Sequence, residues 1–188
     1  MTASTAVWYL MRGSGVSSLL LLTGVVVLGI LTSRKRSLPT LPRFATMELH
    51  RSISLLAVAF LAVHVLTAVF DPYAQVRLVD VVAPFDGLML GLGTLALDLF
   101  AAVIVSSLLI RRISRATWRT ILWLGYGTWP LAFIHMLGMG SDSGTLWLRV
   151  IAFGSLAAIA LALYRRVATE EPAARDQRVS VTLRSPSG

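Results

Sequence analysis

Apolar residues gather along the chain in five runs, about 8–32, 49–70, 87–110, 118–139 and 145–164, separated by short stretches that hold the arginines, aspartates and several of the prolines. Each run is near the roughly 20 residues an α-helix needs to cross about 30 Å of hydrocarbon. The pattern predicts an all-α, polytopic membrane bundle of five transmembrane helices. The final stretch, "RRVATEEPAARDQRVSVTLRSPSG", mixes charge with Pro, Ser and Ala and has too little apolar content to bury a core. It reads as a short disordered cytoplasmic tail over 165–188, leaving one membrane domain over 1–164. No internal repeat stands out.

Composition strengthens this reading. Of 188 residues, 56% are hydrophobic and 14% charged, against about 25% charged in a soluble domain. The chain has no cysteine, which excludes disulfides, iron–sulfur clusters and thiolate zinc sites. Any metal must lean on the three histidines and a few carboxylates. The net charge of +8 does not point to nucleic acid, because the basic residues lie between apolar runs and act there as orientation signals. Arg34, Lys35, Arg36, Arg43 and Arg51 follow the first run, Arg111, Arg112, Arg115 and Arg119 the third, and Arg165, Arg166, Arg175, Arg178 and Arg184 the fifth. That puts 14 of the 17 basic residues on one side. The positive-inside rule makes that side cytoplasmic, with the N-terminus out and the C-terminus in. The first run is not read as a cleavable signal peptide, since "SRKR" follows the apolar stretch and no small-residue cleavage site ends it.

The histidines carry the candidate chemistry. His50 and His64 are 14 residues apart, about 40° short of four full turns, so they share one helix face at two depths. The second and fourth runs both start at the basic side, and His135 lies 16 residues beyond Arg119 as His64 lies 13 beyond Arg51. His64 and His135 are therefore expected at similar depth on parallel helices. Two imidazoles so placed suit bis-axial ligation of a haem b in a bundle core. An intramembrane histidine is also an ordinary interhelical hydrogen-bonding residue, and His50, near the inner surface, is read either way.

The segments "WYLMRGSGVSSLLLLTGVVVLGILTS", "ELHRSISLLAVAFLAVHV" and "WRTILWLGYGTWPLAFIHMLG" resemble the ferric reductase-like transmembrane domain, a family that includes the membrane parts of NADPH oxidases and the haem subunit of periplasmic methionine sulfoxide reductase. The likeness covers most of 7–141. It implies that His64 and His135 hold an outer haem and that His50 pairs with a histidine about 13 residues before His135. That position is Leu122, which cannot ligate iron, so one haem is expected, with a membrane quinol or a flavin such as FMN on a partner protein as donor.

Arg12 in "MRGSG" and Arg149 near the start of the fifth run are placed to pair with a haem propionate or to snorkel to the interface. Gly13 and Gly15 would admit a close helix or a porphyrin edge, as small residues do in any membrane bundle. Asp98, about a dozen residues into the third run, is a candidate proton or quinone residue, or a hydrogen-bonding partner of a neighbouring helix. Pro130 is expected to kink the fourth helix below His135. The expected whole is a haem b-containing electron-transfer subunit in a bacterial plasma membrane, surrounded by lipid and serving a redox partner and an extracytoplasmic acceptor. The alternative is a haem-free membrane scaffold or small transport subunit.

Overall fold

The computed structural model describes residues 3–32, 42–139 and 142–168. Arg34, Lys35 and Arg36, and residues 169–188 with Arg175, Arg178 and Arg184, lie outside the described residues. Those described form helices α1 (Ala3–Thr32), α2 (Arg43–Phe70), α3 (Leu88–Leu108), α4 (Arg115–Gly125), α5 (Thr128–Met139) and α6 (Leu146–Ala168). A single 3₁₀ turn, Leu78–Val81, precedes α3, and no strand occurs among them. α6 carries Arg165 and Arg166 in its last turn, so the first residues of the expected tail are helical.

Four helices, α1, α2, α3 and α6, are long and apolar enough to cross a membrane, and they mark a multi-pass membrane protein associated with a lipid bilayer. The burial pattern agrees. Large apolar side chains such as Leu55, Phe153 and Leu161 are exposed, whereas Ser14, Thr23, Thr94, Ser106 and Ser155 are buried between helices. In lipid the outside of a bundle is the apolar side, and small hydroxyl residues let helices approach. Four of these hydroxyls bond back to their own helix, as Thr23 does to the Leu19 carbonyl at 2.8 Å and Ser14 to the Leu10 carbonyl at 2.6 Å, while Ser155 Oγ has no partner among the described residues.

The expected continuous helix over 118–139 is instead two helices. Pro130 has no N–H for the Tyr126 carbonyl, and its ring would clash with that carbonyl in an unbroken helix. The chain therefore breaks at Tyr126–Gly127, four residues before the proline, and Pro130 sits in the first turn of α5, where its missing donor costs nothing. The Tyr126 and Gly127 amides tighten onto the Trp123 and Leu124 carbonyls at 3.2 and 2.8 Å. Ser114 starts α4 by accepting the Thr117 amide at 3.0 Å, and α2 ends at Asp71 because Pro72 holds that residue extended.

α4 and α5 follow one another down α3 in antiparallel register. Gly125 faces Val103, Gly127 faces Leu99, Gly93 faces His135 and Gly138 faces Met89. α1 lies antiparallel to α2, with Gly15 against His64 and Gly24 against Ile53. The molecule is thus built from two helix pairs, α1 with α2 and α3 with α4–α5, and α6 packs on α1. The pairs join where α1 touches α5, through a buried Trp129 Nε1–H bond to Thr23 Oγ1 at 2.9 Å.

Candidate functional site

Between the two pairs lies a cavity of about 450 Å³, within the usual range of cofactor pockets, about 300–1,000 Å³. Its walls are apolar, with Leu19 of α1, Leu61 and Val65 of α2, Leu97 and Phe100 of α3, and Ala132 of α5. His64 and His135 enter it from opposite pairs, and their ring centres are 6.4 Å apart with planes at 77°.

Each imidazole is held in the same way. His64 Nδ1 lies 2.8 Å from the Met11 carbonyl of α1, and His135 Nδ1 lies 2.7 Å from the Met89 carbonyl of α3. A carbonyl only accepts, so Nδ1 carries a proton in both rings, which leaves Nε2 as the nitrogen with a lone pair in the tautomer that can ligate. A side chain normally covers the turn N-terminal to its own Cα. Here that residue is glycine in both helices, Gly15 over Met11 and Gly93 over Met89. A Cβ on Gly15 would lie 2.8 Å from His64 Nδ1, and one on Gly93 2.6 Å from His135 Nδ1. Only glycine leaves the carbonyl open to a second helix. The two stretches share a spelling, "MRGSG" at 11–15 and "MLGLG" at 89–93, so a short Met-x-Gly-x-Gly repeat exists where sequence inspection sees none. Gly93 and the two methionine carbonyls are the site features that inspection misses, and this repeat is the signal that marks them.

The donor set suits a macrocycle better than a bare ion. Among the described residues no three histidine or acidic side chains cluster to form a metal cage, whereas a haem brings four nitrogens of its own and asks the protein only for axial ligands. His64 and His135, with ring centres 6.4 Å apart in one cavity, are the residues that would hold such a group.

The cavity's end nearest the α1 N-terminus is polar, with Trp8, Arg12, Asp71 and Tyr73. Arg12 lies on the cavity wall, pairs with Asp142 at 2.7 Å and stacks 5.0 Å over the Trp8 ring. Asp71 is buried; its Oδ1 accepts the Tyr73 amide at 2.8 Å and its Oδ2 has no partner among the described residues. His50, Arg149 and Asp98 are not among the cavity-lining residues. His50 is half-buried with Nδ1 unpartnered, Arg149 is exposed and donates to the Ser143 carbonyl at 3.3 Å, and Asp98 faces outward from α3. Leu122 sits on α4, across the break from His135. Comparison of the chain with protein-family models, with curated proteins and with solved structures finds no match in any of the three.

Proposed function

We propose that this chain is a haem b-containing electron-transfer subunit of a bacterial plasma membrane, with His64 and His135 as axial ligands through Nε2. The observation that carries the reading is the pair of Nδ1-anchored imidazoles 6.4 Å apart in an apolar cavity between helix pairs. When bound, the haem supplies one-electron transfer. The residues of this chain do the rest. Anchoring Nδ1–H to a backbone carbonyl fixes the tautomer and aim of each ring and raises its basicity as a ligand. Leu19, Leu61, Leu97 and Phe100 exclude water, and Arg12 at the polar end offers a cation to an anionic edge of the ligand.

In this reading α4 and α5 together make the fifth crossing, the N-terminus is out and the C-terminus in, and the site lies in the outer half of the bilayer. Electrons come from a quinol or a flavin-bearing partner and leave towards an extracytoplasmic acceptor. The test is the absorption spectrum of the purified full chain. A Soret band with split low-spin α and β bands on reduction is expected; colourless protein from haem-replete cells would favour a haem-free scaffold or transport subunit.

A further inference from the structure

The outward face of α3 carries a seam that none of the described residues covers. Leu95, Asp98, Ala102 and Val105 recur at spacings of three and four, and all four are exposed, while Ala96 on the opposite face is buried. This is the a/d rhythm by which one helix packs along another. Asp98 is the eleventh of the 21 residues of α3, half-way through the span. No hydrogen bond or ion pair reaches it from the described residues. A carboxyl group at that depth is costly against lipid and is normally met by protein.

We propose that two copies of this chain pair in the membrane through this face of α3, with each Asp98 hydrogen-bonded to its equivalent. Copies inserted from one sequence share one orientation, so a closed pair has its two-fold axis along the membrane normal and its α3 helices run parallel and in register. Asp98 then meets Asp98 at one depth. A protonated carboxyl is both donor and acceptor, so the pair satisfies itself without a cation from another protein. Ala102, one turn along the seam, and Ala101 beside it allow close approach at the polar level. A single polar residue within an apolar seam fixes register and the number of chains. The pairing is independent of what fills the cavity, since Asp98 does not line it. The competing occupant is a foreign helix bearing a cation.

The absence of cysteine gives a direct test. In native membranes of cells expressing the full chain, Ala102→Cys is expected to form a disulfide-linked dimer on mild oxidation. Phe60→Cys, on the exposed face of α2, is expected to remain monomeric. Adding Asp98→Leu should lower the Ala102→Cys cross-linked fraction about tenfold, the equivalent of one or two interhelical hydrogen bonds in lipid. Asp98→Asn should retain it, because the amide is also donor and acceptor. Cross-linking of Ala102→Cys no greater than that of Phe60→Cys overturns the proposal. So does a dimer that survives Asp98→Leu undiminished, or purified chain of single-copy mass in lipid nanodiscs.

Discussion

Gly15 and Gly93 act by leaving space beside the two imidazoles. Gly15→Ala or Gly93→Ala places a methyl within 2.8 or 2.6 Å of an imidazole nitrogen, pushing the ring off its carbonyl. Haem affinity should fall on the order of 10–100-fold, the usual cost of losing an outer-shell hydrogen bond to a ligating histidine. Haem titration of detergent-purified apoprotein, read at the Soret band, measures this. Removing an axial bond is more severe. His64→Ala and His135→Ala should each abolish haem incorporation, whereas His50→Ala, outside the cavity, should leave most of it; loss of haem from His50→Ala alone would contradict the proposed pairing. The similar depth of His64 and His135 is legible in the sequence because helix rise is fixed and Arg51 and Arg119 give common starting points. The carbonyl anchors are not, since a hydrogen bond from one helix to another's backbone leaves no periodic trace.

Apolar periodicity locates helices well only where nothing interrupts them. α3 and α6 correspond to expected runs within four residues, while α1 and α2 begin five and six residues before theirs and end with them. The run over 118–139 divides because one missing N–H at Pro130 acts four residues upstream, a distance that apolar periodicity does not register. The break leaves Leu122 and His135 on separate helices, and on the proposed reading His50 has no second imidazole to pair with, since the chain has three histidines. Pyridine haemochromogen assay is therefore expected to give close to one haem per chain, and a value near two with both haems low-spin would show another residue completing an inner site. In the 71–87 connection, Arg77 grips Asp80 with Nε and a terminal nitrogen at 3.0 and 2.8 Å, and its backbone amide adds a third bond at 2.9 Å. The Arg77 side-chain bonds hold the Asp80 carboxyl below the usual carboxylate range. A depressed carboxylate stabilises at pH above the unfolded value and ceases to do so as pH falls through the folded one. Amide exchange in 77–82 should thus be slow at neutral pH and accelerate on acidification, and Asp80→Asn should be fast throughout; equal exchange in the two proteins at neutral pH would count against the clasp.

At the scale of the molecule, orientation rests on charge rather than on packing. A reporter fused after Gly188 is expected to behave as cytoplasmic and one inserted near Gln75 as external; the reverse result would invert the direction proposed for electrons. The two-pair design was hidden from inspection because it rests on which helices touch, and apolar faces do not name their partners. It also bears on how the protein is made. Met11 and His64 both belong to the first hairpin, and Met89 and His135 both belong to the second, so each half-site is complete as soon as its own hairpin has left the ribosome and entered the bilayer. Neither half waits for the other, and no hydrogen bond between the two histidines must form or break when they separate. On the proposed function the halves can therefore insert in sequence and close on the haem last, so its delivery need not precede membrane insertion.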